Sequence, residues 1–175
     1  MCDALEDDMV DMWLVFFFKK KTSHMSTISS SSASHIPFSQ KWTQAGYTET
    51  LRSEANRIFT YQVTKDKGAT LCCEATFIVY KSRKQREMFI SGLYVFKPFR
   101  GKGLARRALY IIAKQAQAQR IPKLTLDDMS DNYRNEHNLY LKSGFHYLIH
   151  DGFDMSARAV TVSRKTKNSL VNSEL

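Results

Sequence analysis

The sequence predicts a mixed α/β fold, and three segments of the chain support this. Residues 58–64 and 70–80 alternate polar and apolar side chains on either side of a short polar turn, which is typical of a β-hairpin. Residues 88–96 read as a β-branched and aromatic strand, and a glycine-rich turn leads from them into an amphipathic helix. A chain of 175 residues, 43% of them hydrophobic, can bury one proper core.

The first half of the predicted domain consists mainly of strands. Good helix formers in residues 47–57 indicate one short helix before the hairpin. The hairpin strands are joined by the turn 65–68, and the third strand follows the polar turn 81–86. A long helix is predicted over residues 103–119, and Pro122 prevents its continuation. Its apolar residues recur at helical spacing: Ala105, Ala108, Leu109, Ile112 and Ala116.

Another strand and another helix follow the long helix. Residues 123–126 form a short predicted strand. The next helix is predicted over residues 131–143, with Ser130 or Asp131 as its N-cap and Gly144 closing its end.

Two final strands are predicted near the end of the chain. They cover residues 145–150 and 157–162, on either side of a loop that contains Gly152. The Lys-, Arg- and Ser-rich chain after Ser163 is expected to fray. Antiparallel strands therefore come first, followed by strand–helix–strand–helix–strand–strand.

Residues 1–35 differ in composition from the rest of the chain. An acidic start is followed by the apolar run 13–18, three lysines and a serine-rich stretch. We expect a disordered or mistranslated extension here, with Met25 as an alternative start, or a short peptide that docks on a membrane or a partner. The folded domain is predicted over residues 36–166, followed by a flexible tail over residues 167–175.

The apolar run and the cysteines bear on where the protein works. The run is too short to cross a bilayer, which takes about 20 apolar residues, and its lysines follow it rather than precede it as in a signal peptide. Cys2, Cys72 and Cys73 are too few and too poorly spaced for a disulfide framework or a zinc site. We therefore expect a cytoplasmic protein with no metal site and no membrane partner.

The chain is strongly basic. Its 26 Lys and Arg residues outnumber 17 Asp and Glu residues, which gives a net charge of +9 and a pI near 9.5. A basic surface attracts polyanions, so RNA, the ribosome or an acidic protein is one explanation of this charge. A solvated basic surface that improves solubility is the other.

The segment that says most about function joins the third strand to the long helix. Backbone N–H groups freed at such a turn, together with the positive end of the helix dipole, form an anion site. Glycines let the backbone approach the anion closely. The segment reads Leu93, Tyr94, Val95, Phe96, Lys97, Pro98, Phe99, Arg100, Gly101, Lys102, Gly103, Leu104 and Ala105.

Two other phosphate-binding motifs match this segment poorly. A P-loop requires Ser or Thr after its lysine to hold magnesium, and Lys102 is followed by Gly103. A dinucleotide fingerprint requires three glycines, and only Gly101 and Gly103 are present.

A second motif lies about forty residues further on, where a polar helix ends in Gly-Phe and leads into a strand. Together the two motifs resemble the GCN5-related N-acetyltransferase (GNAT) superfamily, over about residues 58–165. Its acyl-CoA loop, Arg/Gln-x-x-Gly-x-Gly/Ala, is matched by Arg100, Gly103 and Ala105. Its Leu-Tyr-x-x-x-Gly-Phe signature is matched by Leu139, Tyr140, Gly144 and Phe145.

The resemblance implies a GNAT-like central sheet, mixed and mostly antiparallel, with helices on both faces. Family members usually place a strand and two helices before the first hairpin, and that region covers the acceptor. Residues 36–58 offer little room for all three, so a reduced N-terminal helical region is expected. An open acceptor side suits a large acceptor better than a small one.

The resemblance also implies acetyl-CoA as the acyl donor. The backbone of Leu93, Tyr94 and Val95 is expected to bind the pantetheine arm and to polarise the thioester carbonyl. The side chains of Arg100, Lys102 and Arg106 are expected near the CoA phosphates. The backbone of the glycine-rich turn completes the expected cofactor site: Gly101, Gly103, Leu104 and Ala105.

Two catalytic roles are assigned by resemblance. Tyr140 is the expected general acid, because a neutral phenol can protonate the leaving thiolate. Glu87 resembles the strand-four glutamate that acts as general base, and Asp127 or Asp128 is the alternative. His137 and His146 flank the second motif without a family counterpart, and we expect them to be surface or packing residues.

The predicted function is N-acetylation of a primary amine by direct transfer in a ternary complex. A protein amine, either lysine or the N-terminus, is the first acceptor considered. An aminoacyl-tRNA or another RNA-linked amine, with tRNA or the ribosome as partner, and a small-molecule amine are the alternatives. A non-catalytic module that binds CoA or nucleic acid is the rival from another class. The protein is expected to be a monomer or a homodimer.

Overall fold

The computed structural model of the chain describes residues 40–55, 57–81, 85–150 and 152–172. The predicted extension 1–35 lies outside them. The described strands are β1 (Tyr47–Ala55), β2 (Ile58–Lys65), β3 (Thr70–Lys81), β4 (Arg86–Val95), β5 (Lys123–Asp127), β6 (His146–Tyr147) and β7 (Asp154–Arg158). The described helices are α1 (Gln40–Gln44), α2 (Leu104–Ala118), α3 (Leu139–Ser143) and α4 (Ala159–Asn172).

The described strands form one mixed sheet in the order β1-β2-β3-β4-β5-β7-β6. All neighbouring pairs are antiparallel except β4 and β5, which run parallel. The connection between these two parallel strands contains α2, as a parallel pair requires. The predicted mixed and mostly antiparallel sheet is therefore confirmed, as are the hairpin of β2 and β3, the strands β4 and β5, and the helix α2.

One face of the sheet is apolar and carries the core. Phe77 of β3 lies opposite Ile90 of β4, and Met88 of β4 lies beside Leu124 of β5, all four of them buried. Helices α2 and α4 pack against each other on this face. Because side chains alternate along a strand, the neighbouring residues, such as Tyr80, point to the opposite face.

Both long helices lie on the apolar face, whereas the sequence predicted helices on both faces. The five-residue α1 is the only helix that the described residues place before β1, and β2 follows β1 almost directly. This agrees with the predicted reduction of the N-terminal helical region. The described residues therefore place no long helix on the opposite face of the sheet.

The helix predicted over residues 47–57 is wrong, because residues 47–55 form β1. The strand pairs with β2 over its length, from Tyr47 opposite Lys65 to Ala55 opposite Ile58. The residues of this segment have only a weak intrinsic preference for the helical conformation. Hydrogen bonding to β2 and burial of side chains outweigh that preference.

The helix predicted over residues 131–143 is also wrong in extent. Only Leu139–Ser143 is helical, and its N-cap is Asn138 rather than Ser130 or Asp131. The preceding residues form turns, in which the Asn135 carboxamide oxygen accepts a hydrogen bond from the backbone N–H of His137 at 2.8 Å. Such local bonds compete with helix formation. The predicted closure by Gly144 is confirmed, with φ at 98°.

The end of the chain differs most from its prediction. The strand predicted over residues 145–150 shrinks to β6, and the strand predicted over 157–162 is replaced by the end of β7 and the start of α4. The frayed tail expected after Ser163 is wrong as far as Asn172, where α4 ends, and residues 173–175 lie outside the described part. Three buried residues at four-residue spacing explain the helix: Val162, Thr166 and Leu170.

A buried ion pair joins the edge strand β1 to α2. Arg107 is 2% exposed, and its Nη2 and Nε donate to the Glu49 carboxylate at 2.7 and 3.0 Å. The Tyr61 hydroxyl donates to the same carboxylate at 2.9 Å. Burial, and then the Glu49 charge, raise the pKa of Tyr61 well above its usual value, so that the phenol stays a donor.

Within the described part of the chain, no helix combines the length and the apolar composition that crossing a bilayer requires.

Replacing Arg107 with Met is expected to lower the free energy of unfolding by about 3 kcal/mol, because it leaves the Glu49 carboxylate without its charged partner. Lys114→Met, on the same helix, is the matched control and should change stability by about 0.5 kcal/mol or less. Chemical denaturation measures both variants. The double variant Arg107→Met/Glu49→Leu should recover most of the loss, and a double variant as unstable as the single one would contradict this assignment.

Candidate active site

A cleft begins where β5 leaves β4. The two strands pair only from Glu87 opposite Lys123 to Ile90 opposite Leu126, whereas β4 stays paired with β3 as far as Val95. The rest of β4 has no β5 partner within the described residues. Its backbone groups on that side are therefore available to a ligand.

A β-bulge marks the point of divergence. Thr76 lies opposite Gly92 and Phe77 opposite Ile90, so Ser91 is the extra residue on β4. The Ser91 hydroxyl donates to the Thr76 carbonyl at 3.2 Å. A side chain placed on Gly92 would meet no atom within 4 Å, so this part of the strand borders open space.

The glycine-rich turn lies at the end of this free part of β4. Gly101 and Gly103 have φ values of 78° and 80°, in the region that favours glycine, and Gly103 is the N-cap of α2. No side chain caps this helix, and its first turn contains no acidic residue. The first N–H groups of α2 therefore keep their hydrogen-bonding capacity and the positive end of the helix dipole for an anion.

The cations of the turn point in different directions. Arg100 is exposed, and its Nε donates to the Val95 carbonyl at 3.1 Å, which brings the guanidinium back to the end of β4. Lys102 Nζ donates to the Tyr47 hydroxyl at 3.2 Å and lies 5.5 Å from the ring centre of Phe99. Arg106 is half-buried in the first turn of α2. The turn is thus surrounded by positive charge.

Asp128 organises the opposite wall of the cleft. Its side chain is fully buried, and its Oδ1 accepts hydrogen bonds from the Ser130 backbone N–H and hydroxyl at 3.1 and 2.6 Å. Its Oδ2 accepts from Asn138 Nδ2 at 2.7 Å and from the Tyr147 hydroxyl at 2.5 Å. A carboxylate with four donors holds structure together and is not free to act as a base.

The Asn138 side chain connects Asp128 to the start of α3. Its Oδ1 accepts hydrogen bonds from the backbone N–H groups of Tyr140 and Leu141 at 2.8 and 3.0 Å, while its Nδ2 binds Asp128. The side chain is fully buried. The start of α3, and with it Tyr140, is therefore fixed relative to the end of β5.

Tyr140 is held as a neutral phenol. Burial, and then the Asp128 charge, raise its pKa to about 12, so the hydroxyl keeps its proton at physiological pH. Its ring packs edge-on against Phe145, with 6.0 Å between ring centres. Within the described residues no protein group forms a hydrogen bond with this hydroxyl, which is therefore available as a donor.

Asp127 is the last residue of β5 and lies beside the divergence. It is exposed, and its cross-strand neighbour on β7 is Asp154. Partial burial, and then the hydrogen bond and charge of the Asp154 carboxyl group, raise the pKa of Asp127. Sequence reasoning did not find Asp154, because nothing local identifies its neighbour across the sheet.

Glu87 lies away from these residues, at the amino end of β4. Its carboxylate accepts hydrogen bonds from the Tyr80 hydroxyl at 2.9 Å and from Lys123 Nζ at 3.3 Å. Burial raises the pKa of Glu87, but the bonds from Tyr80 and Lys123 outweigh it, so the pKa is lowered. Four residues separate it from the bulge at Ser91, about 13 Å along a strand.

The two histidines near the second motif have ordinary neighbours. His137 is exposed and lies 3.3 Å from the Glu136 carboxylate, and His146 Nε2 lies 3.3 Å from the Ser156 hydroxyl. No group of three or more metal-binding side chains occurs among the residues that the structure describes.

The free part of β4 thus leads into the glycine-rich turn, Asp127 and Asp128 lie at the end of β5 beside the divergence, and Tyr140 lies on α3 near Asp128. Glu87 lies outside this group. Asn138 was overlooked as the cap of α3, although an Asn directly before the helix is a readable N-cap signal.

Comparisons with known proteins give the family and the fold. The family model described as "Acetyltransferase (GNAT) family" matches residues 30–145, more than half of the chain. No characterised protein sequence is significantly similar to the chain.

Solved structures resemble this one at low sequence identity. The KacTA–DNA complex contains a chain with a TM-score of 0.52 and 13% identity, over 66% of this chain and 76% of that one. A mutant of the toxin AtaT, bound to the C-terminus of the antitoxin AtaR and acetyl-CoA, has a TM-score of 0.50 and 10% identity, over 67% and 96%. Tetrahymena GCN5 has a TM-score of 0.48 and 18% identity, over 60% and 70%.

Replacing Asn138 with Ala is expected to lower the free energy of unfolding by about 2–4 kcal/mol, because α3 loses its cap and buried Asp128 loses a donor. Asn132→Ala, in the same turn, is the control and should change stability by about 0.5 kcal/mol or less. Urea denaturation compares the two, and equal effects would show that the Asn138 side chain does not organise the wall.

Proposed function

Because this chain belongs to the acetyltransferase (GNAT) family, we propose that it transfers an acetyl group from acetyl-CoA to a primary amine, with an amine on a protein as the acceptor. The observation that carries this proposal is the cleft between β4 and β5, which opens directly beside the uncapped, glycine-rich start of α2. A long molecule with phosphates at one end and a thioester at the other matches such a site.

The cofactor is proposed to bind along the free part of β4. The N–H groups at the start of α2 receive the pyrophosphate, with Arg100, Lys102 and Arg106 supplying positive charge. The backbone of Leu93, Tyr94 and Val95 borders the pantetheine arm, and one of its N–H groups polarises the thioester carbonyl. Acetyl-CoA in a toxin structure of similar fold supports this choice of donor.

Tyr140 is proposed as the general acid. The amine nitrogen attacks the carbonyl carbon, the carbon–sulfur bond breaks, and the departing sulfur takes the phenol proton. Because the pKa of Tyr140 is raised to about 12, the group starts the reaction protonated. The attacking amine gives its proton to the general base, and this proton returns to Tyr140 through water, so the transfer balances.

Asp127 suits the role of general base better than Glu87. It is exposed beside the divergence, and its pKa is raised toward the range in which a carboxylate accepts a proton readily. Glu87 is already bound by Tyr80 and Lys123, and its pKa is lowered. Asp128 is excluded from this role by its four donors.

The acceptor is proposed to be large. Neither long helix covers the face opposite the core, so the described residues leave room beside the cleft for a macromolecule. A lysine or N-terminal amine of a protein satisfies this, and so does an RNA-linked amine. A non-catalytic CoA-binding module is the remaining alternative.

The glycine-rich turn gives the first test. Gly103→Val is expected to weaken acetyl-CoA binding by about 100-fold, because the side chain removes two or so charge-assisted hydrogen bonds, worth about 3 kcal/mol together. Gly68→Val is the control for the backbone, since Gly68 also has a left-handed φ, 95°; a side chain there meets open space, whereas one at Gly103 contacts Trp42 at 3.7 Å. Calorimetric titration measures both, and equal affinities would show that the turn does not bind the cofactor.

Transfer of labelled acetyl groups into a cell lysate tests the activity itself. Tyr140→Phe is expected to lower kcat by about 100-fold while leaving acetyl-CoA affinity unchanged. Tyr133→Phe is the control and should keep its activity. Protease and RNase treatment of the labelled material separates protein from RNA as acceptor. Label in no fraction, small molecules included, would favour the non-catalytic module.

The pH profile of kcat/KM identifies the base. The rate should rise with pH through the raised pKa of Asp127, because only the carboxylate accepts a proton. Asp154→Asn removes a like charge beside Asp127 and should move this rising limb of the pH profile to lower pH. Glu87→Gln should leave the limb in place, and its disappearance in that variant would make Glu87 the base.

A further inference from the structure

A second cluster of cations lies at the other end of the parallel strands. It comprises the end of β3, the start of β4, the turn between α2 and β5, the start of β5 and the end of β7. Strand pairing puts Lys81 opposite Arg86 and, one residue away and on the other face, Lys123 opposite Arg158, so the two pairs flank the same end of the sheet. Its members, which we call the basic end, are Lys81, Arg86, Arg120, Lys123 and Arg158.

Two adjoining depressions run through the basic end. The larger one, of about 420 Å³, is lined by Arg120 and Arg158 above an apolar floor that includes Pro122 and Val160. The smaller one, of about 290 Å³, shares Arg158 and Pro122 and continues past Lys123. Among the residues that the structure describes, no acidic side chain lines either of them.

The charges at the basic end are largely uncompensated. Within the described residues neither Arg120 nor Arg158 forms an ion pair or a hydrogen bond through its side chain. Arg86 donates to the Gln119 carbonyl at 3.3 Å, which orients it without neutralising it. Only Lys123 has a carboxylate partner, Glu87, at 3.3 Å.

We propose that the basic end binds the phosphodiester backbone of a nucleic acid, independently of base sequence. The cluster spans the strands from β3 to β7, about 14 Å at 4.8 Å per strand, which is long enough to meet several phosphates. Three of its cations are arginines, whose planar guanidinium groups bind phosphate with two hydrogen bonds. The apolar floor between Arg120 and Arg158 accommodates the sugar.

A nucleic acid fits this surface better than an acidic protein. Exposed single ion pairs to carboxylates contribute little, because each charge is already well solvated. A nucleic acid carries condensed counterions, and their release adds a favourable contribution for every phosphate that is neutralised.

This surface is separate from the proposed acetyl-CoA cleft. The cleft opens beyond Leu126, at the carboxyl end of β5, whereas the basic end begins at Lys123 and Arg120. From Lys123 to Asp127 a strand of this length spans about 13 Å. Nucleic acid and acetyl-CoA should therefore bind to the protein at the same time.

Fluorescence titration of a labelled single-stranded RNA and of a duplex DNA, each at several salt concentrations, tests the proposal on the full chain. For the RNA, neutralising four phosphates with the cations that lack a carboxylate partner among the described residues predicts a slope of log K against log salt of about −2.8. Arg120→Glu/Arg158→Glu should reduce the slope by about 1.4 and weaken binding at least tenfold. Arg52→Glu/Lys67→Glu makes the same change in net charge elsewhere and should keep the parent slope.

Two further measurements make the outcome decisive. Thermal unfolding and acetyl-CoA titration of the Arg120→Glu/Arg158→Glu variant should match those of the parent, which shows that the fold and the cleft are intact. Polyglutamate at equal charge should compete at least tenfold more weakly than RNA. Equal competition, an unchanged slope in this variant, or an equal loss in the control variant would each overturn the proposal. Binding of RNA alone or of both nucleic acids supports it.

Discussion

The fully buried carboxylate of Asp128 is the constraint on which the rest of the cleft depends. A buried charge persists only where donors replace water, and the chain after β5 has to turn sharply to supply them from Ser130, Asn138 and Tyr147. Strand β5 therefore ends at Asp127 and does not follow β4 any further. The space between the two strands, which the proposed chemistry requires, results from satisfying this one side chain.

A second buried charge, that of Arg107, fixes the position of α2 relative to the sheet. Arg107 lies one turn into α2, and its bonds to Glu49 hold the edge strand β1 beneath the start of that helix. The proposed cofactor turn is thereby attached to the sheet through α2 and through Lys102, which bonds to Tyr47. Buried ion pairs contribute little net stability, but removing one partner is costly. Here the Arg107–Glu49 pair holds α2 in a fixed position relative to β1.

The two ends of the parallel strands carry different chemistry. The carboxyl end combines free backbone N–H groups with Tyr140 and the pair of carboxyl groups from Asp127 and Asp154. The amino end combines cations from five segments around two shallow grooves. Under the proposed nucleic-acid binding, part of the chain's net charge of +9 has a role apart from the cofactor. The sheet separates a proposed reaction from a proposed anchoring surface.

The sequence by itself determined the elements and motifs whose signals are local. The hairpin, the strand before the glycine-rich turn, the periodicity of α2 and the closing Gly144 depend on residues within a few positions of one another. Tertiary structure decided the rest. Residues 47–55 became a strand because β2 offered them pairing, and α4 formed where Val162 and Leu170 could be buried against α2. Asp154 beside Asp127, and Arg158 beside Lys123, became neighbours through strand pairing alone, which no local pattern encodes.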